Sequence, residues 1–186
     1  MTRKEILVYQ LEEVRYEFAE ALDGLSDEAW TAKPIGDRNP IAWIAHHCAG
    51  NFDFFLYQTQ KGVSLLGENS AYGNLGDYGS GPLNDDQLAT DFSDLAAAAD
   101  EVFSICIDML SVLSEDEFHE KPPCWPQKSF ESVAGNCVRV INHSNAHLRQ
   151  IWTLRGALND SSWPVQKLVK RPDDERGRFY MPPRDS

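Results

Sequence analysis

At 186 residues, 42% hydrophobic and 11% aromatic, the chain has the size of one domain that buries about 70% of the surface its unfolded form would expose. A formal net charge of −12 argues against a nucleic-acid partner, because phosphate backbones are gripped by clustered Lys and Arg, and no apolar run approaches the roughly 20 residues of a membrane span. Cys48, Cys106, Cys124 and Cys137 are scattered without a Cys-x-x-Cys pair, and the opening Met-Thr-Arg-Lys-Glu-Ile lacks a signal-peptide apolar core; a cytoplasmic location with reduced thiols is expected.

Helical period recurs in four segments. In the first, Leu7, Leu11, Val14, Phe18 and Leu22 repeat at three and four with Glu12, Glu13, Arg15 and Glu17 between them, which predicts an amphipathic helix ending near Gly24. The second runs from about Asn39 to Lys61, with Asn39 as N-cap and Pro40 at the first helical position. Its residues Ile41, Ala45, Cys48, Phe52 and Leu56 form an apolar arc apart from His47, more than one core should require, and predict a homodimer through that arc. Residues 62–84 hold half of the chain's twelve glycines and predict a long crossover loop. The third segment carries Leu88, Phe92, Leu95, Ala99, Val102, Cys106, Met109 and Leu113 in one stripe, and the fourth runs from about Phe130 to Leu158.

The connectors repeat one another. L-S-D-E-A-W-T-A-K-P at Leu25 to Pro34 matches L-S-E-D-E-F-H-E-K-P at Leu113 to Pro122, so the chain reads as two helical hairpins joined by a crossover. In the second copy Ser114 and Glu117 predict a capping box. No segment alternates with period two. The expected fold is therefore an all-α, four-helix bundle over residues 1–158. The tail, 159–186, contains Pro164, Pro172, Pro182 and Pro183 and cannot extend a helix; Trp163, Phe179, Tyr180 and Met181 are its handles for packing on the bundle or on a partner subunit.

His143 and His147 stand four apart, one helical turn, so both imidazoles share a face. The second helix supplies His46 and His47. His47 lies on the arc of Trp43, Ile44 and Phe54, whereas His46 is swung about 100° away, near Asp53 and Ala42. Buried histidines bonded to neighbours would give the same arcs; a pair at i and i+4 joined by a third on another helix favours one shared divalent ion. His119 sits in a connector between Glu117 and Glu120 and is expected in solvent. Asn51, Asn136 and Ser144 are candidates to back the ligands or plain polar residues at a bundle edge. No inward carboxylate is assignable as a general base, and a di-iron bundle would need inward Glu residues and two Glu-x-x-His motifs that are missing.

The run W-I-A-H-H, then H-S-N-A-H-L-R-Q-I-W-T-L-R-G-A-L, with K-P-I-G-D-R-N-P and the repeated L-S connectors, resembles the DinB superfamily of metal-dependent four-helix bundles from about Ile6 to Leu158. The resemblance implies that His47, His143 and His147 bind a divalent ion, zinc or nickel. It also implies kinship with transferases and isomerases that use low-molecular-weight thiols, hence a small-molecule substrate, and with bundles that dimerise. Three neutral imidazoles leave a position open, where the ion would lower the pKa of a thiol or water. The alternative is a binding module with a structural or vestigial metal site.

Overall fold

The computed structural model describes residues 2–36, 38–66, 84–88, 91–124 and 131–158. Among these residues every regular element is helical, as the absence of period-two alternation predicts. None of the helices is long and apolar enough to cross a membrane.

Helix α1, Arg3–Leu22, opens with a capping box: Thr2 Oγ1 accepts from the Glu5 amide at 3.2 Å and Glu5 Oε2 from the Thr2 amide at 2.7 Å. These bonds satisfy two backbone donors that a helix start otherwise leaves open. Leu7, Leu11, Val14, Phe18 and Leu22 form its buried face. The chain then turns through Gly24 at φ 66°, a left-handed conformation that suits glycine.

The two matching connectors fold alike. Ser26 caps α2, Asp27–Thr31, and Ser114 caps α7, Glu115–His119, with Glu117 completing the second capping box. Four residues after each serine an aromatic ring plugs the core, Trp30 at 5% and Phe118 at 0% exposure. His119 lies exposed at the end of α7, 3.6 Å from Glu115 Oε1.

Helix α3, Ile41–Phe52, starts one residue later than the sequence predicts: Pro40 occupies the N-cap in extended conformation, outside the helix, and Asn39 makes no cap. From Asp53 to Gln58 the same rod continues as a π-helix and then as α4, Thr59–Lys61. The Phe55 carbonyl in this wider segment accepts from Thr59 Oγ1 at 2.8 Å and from Asn136 Nδ2 at 3.1 Å. Gly62, at φ 75°, ends the rod. Asp53, 3% exposed, anchors the next stretch: its carboxylate accepts from the amides of Leu65 and Leu66 at 2.9 and 3.0 Å and from Ser64 Oγ at 2.5 Å. The middle of the predicted crossover loop, residues 67–83, lies outside the described residues.

The predicted third stripe is broken. Leu88 belongs to a short separate helix, α5, Asp85–Leu88, and the main helix α6 runs from Leu95 to Ser111. Just ahead of α6 the Asp91 side chain accepts from the Ser93 amide at 2.9 Å, a local turn that competes with helix. The fourth helix, α8, Val133–Ala157, begins after Ser132, whose Oγ accepts from the Gly135 amide at 3.2 Å. Phe130 and the tail from Asn159 onward are outside the described residues.

The long helices close a ring: α1 packs on α6 and α8, and α3 packs on the same two from the other side. The apolar arc of α3 faces inward here. Ile41, Ala45, Cys48 and Phe52 are 0% exposed and Leu56 is 1% exposed, with the Phe52 ring 4.3 Å from that of Phe103 on α6. The arc is thus core of the single chain, and its apolar character needs no second subunit, contrary to the expectation of a dimer through it. Arg155, 1% exposed near the end of α8, donates from Nη1 to the carbonyls of Ala21 and Asp23, both at 2.8 Å. It thereby caps the C-terminus of α1, where open carbonyls and the helix dipole favour a cation.

Candidate metal centre

Helices α3 and α8 bring His47, His143 and His147 together, each half-buried, with one candidate ligand nitrogen apiece and all three nitrogens within 4.8 Å of one another. This is the one such cluster of His, Cys, Asp or Glu side chains among the described residues. His47 Nε2 and His143 Nε2 are 2.9 Å apart. With bonds of about 2.1 Å, two imidazole nitrogens on one ion lie about 3.0 to 3.4 Å apart as the angle between the bonds opens from about 90° to about 109°, close to the separation seen. Ring centroids are separated by 4.9 Å for His47 and His143, 4.9 Å for His47 and His147, and 4.5 Å for His143 and His147.

Protonation favours the same reading. Burial, then the neighbouring His147, His143 and His46, push His47 down to about 4. Burial, His147 and Arg139 push His143 to about 4 as well. Burial lowers His147 too, opposed by its hydrogen bond to Gln150. Lowered in this way, the imidazoles are neutral near pH 7, the form that binds a metal. The donor set is all nitrogen, which suits zinc, nickel, copper or iron better than magnesium or calcium.

Neighbouring side chains hold the rings. Gln150, one turn beyond His147, has Oε1 at 2.8 Å from His147 Nδ1; it accepts the Nδ1 proton and leaves Nε2 as the free lone pair. Trp43 stacks on His47, centroids 4.4 Å apart and planes 13° apart. Asn51, 1% exposed, donates through Nδ2 to the His47 carbonyl at 3.0 Å, and the same nitrogen lies 3.0 Å from His143 Nε2 and 3.4 Å from His47 Nε2. Its Oδ1 is buried without a hydrogen-bond partner among the described residues. Arg139, one turn ahead of His143, pairs with Glu131 and lies over the Phe55 ring at 5.2 Å.

Of the residues singled out in the sequence, His46 is 7% exposed and outside the histidine group, as its position on the helix predicts. Asn136 turns to the Phe55 carbonyl and Ser144 is fully buried. Cys48, although next to His47, is buried, as are Cys106 and Cys137. Burial raises all three thiols, Cys137 to about 12, so none is a ready thiolate. Cys124 is exposed, its Sγ 3.7 Å from the Gln60 carbonyl. Gln150 escaped the sequence reading; its signal was the spacing of three from His147.

No curated protein matches the chain. A family model described as the DinB superfamily matches residues 10–151, a span that contains His47, His143 and His147, and the chain belongs to that superfamily.

Proposed function

We propose that His47, His143 and His147 hold one divalent ion, zinc or nickel, and that the protein is a metal-dependent enzyme acting on a small molecule, of the thiol-dependent transferase or isomerase type or a hydrolase. The observation that carries this reading is the convergence of three neutral imidazole nitrogens with no fourth protein ligand among the described His, Cys, Asp and Glu side chains. A divalent ion held there supplies Lewis acidity, lowering the pKa of a thiol or water or polarising a carbonyl at the open position. The chain's own part is orientation. Gln150 keeps the proton of His147 on Nδ1, Trp43 holds the plane of His47, and Asn51 fixes a second donor beside His143 Nε2.

A non-catalytic binding or interaction module with a structural or vestigial metal site is the second reading, favoured by the lack of any carboxylate in the cluster to act as general base. Cobalt substitution separates the two. Addition of 2-mercaptoethanol to the cobalt protein is expected to produce a sulfur-to-cobalt charge-transfer band, absent in His47→Ala. A cobalt spectrum indifferent to added thiol and to pH would favour the structural reading, and a protein that takes up no cobalt at all would end the metal-dependent reading and leave a vestigial site.

A further inference from the structure

A recess beside Gln150 reaches toward the histidine group. It is a cleft of about 380 Å³ between the segment ahead of α3 and the C-terminal half of α8. Ile44 and Leu154, 1% and 4% exposed, make its floor, and Ile35, 40% exposed, stands at the rim. Arg38 contributes to one wall and Arg149 to the other; both are exposed, and neither forms an ion pair among the described residues. In a chain with a formal charge of −12, two guanidinium groups around one recess are a local inversion of sign. An anion seated between two guanidinium groups is attracted by both. The planar fork of each matches the oxygens of a carboxylate or phosphate, and the aliphatic floor suits an apolar body. Gln150 lines the same cleft while its Oε1 accepts from His147 Nδ1, so a single side chain joins the cleft to a metal ligand.

We propose that this cleft binds a small organic anion, its carboxylate or phosphate held between Arg38 and Arg149 and its hydrocarbon part on Ile44 and Leu154. That this anion is the substrate of the adjoining centre rests on the metal reading above; the binding itself does not.

The test is calorimetric titration of the full chain, as purified, with benzoate, phenyl phosphate and the neutral analogue benzamide. An anion is expected to bind at least about tenfold more tightly than benzamide. Benzoate ahead of phenyl phosphate assigns a carboxylate, and the reverse order a phosphate. Arg38→Gln and Arg149→Gln, at exposed positions, are each expected to weaken the anion about tenfold with unchanged metal content and melting temperature. Neither anion bound more tightly than benzamide, no binding of either anion, or affinities untouched by both arginine substitutions would overturn the proposal. A chelator-stripped sample distinguishes the two readings. Anion binding that survives stripping supports the cleft whatever the fate of the metal assignment, whereas binding lost with the metal and indifferent to the arginines would place the anion on the ion and refute the cleft.

Discussion

Adjacent histidines on α3 should respond to truncation in opposite ways. His47 is a half-buried member of the histidine group, whereas His46 is 7% exposed and belongs to the packing. A structural zinc site is worth about 10–16 kcal/mol, so one ligand among three or four carries about 3 kcal/mol, and His47→Ala is expected to weaken zinc about 100-fold. Without metal the same substitution loses little beyond its stack on Trp43, about 1 kcal/mol, which lowers the melting temperature by about 2–4 °C for a chain of this length. His46→Ala empties a buried ring at a cost of about 3 kcal/mol, or about 6–12 °C, and keeps its zinc. Zinc measured by atomic emission after chelator competition gives the first axis, and thermal melts in excess EDTA give the second. A folded His46→Ala that loses zinc as fully as His47→Ala would refute the assignment of roles, as would retention of zinc by both.

Gln150→Ala removes the acceptor for His147 Nδ1 and is expected to weaken zinc by about 10- to 100-fold while leaving melts in EDTA unchanged; unchanged zinc competition would show that the tautomer is held by something else. Arg155→Met breaks two charge-assisted bonds at 2.8 Å and opens the end of α1, an expected loss of about 3 kcal/mol in urea unfolding; a loss below about 1 kcal/mol would refute the capping role. Asp53→Ala frees the stretch from Ser64 to Leu66, so amide exchange at Leu65 and Leu66 should accelerate at least about tenfold with metal content unchanged, and unaltered exchange would contradict the anchoring role.

The histidine group was legible because its signal is spacing: i and i+4 in one helix, with Trp43 and His47 again four apart in another. The capping box at Ser114 was legible because capping is local chemistry. The failures come from longer range. Arc reasoning at about 100° per residue holds only while the helix keeps its pitch, and that pitch changes in the π-helix from Asp53 to Gln58, where the Phe55 carbonyl accepts from Asn136, 81 residues away. Arg155, between Leu154 and Gly156, carries no local signal of its role, and is buried because the end of α1 lies opposite it. The arc from Ile41 to Leu56 looked surplus only because one segment alone does not reveal how much core α6 and α8 ask it to fill. The stripe from Leu88 to Leu113 gave way to the turn at Asp91, whose side chain offered the backbone another partner.

Helix α8 is fastened on both sides of its histidines, at Asn136 to the Phe55 carbonyl and at Arg155 to the end of α1, and neither fastening involves an ion. In zinc fingers the metal is a condition of folding. Here the rigidity of α8 comes from the packed chain, so an ion at these histidines would arrive as a passenger, able to leave and return with the scaffold intact. Occupancy would then follow the free metal of the surroundings, and since affinity for a nitrogen site rises along the divalent series toward copper, the resident ion would reflect supply as much as the histidines that hold it.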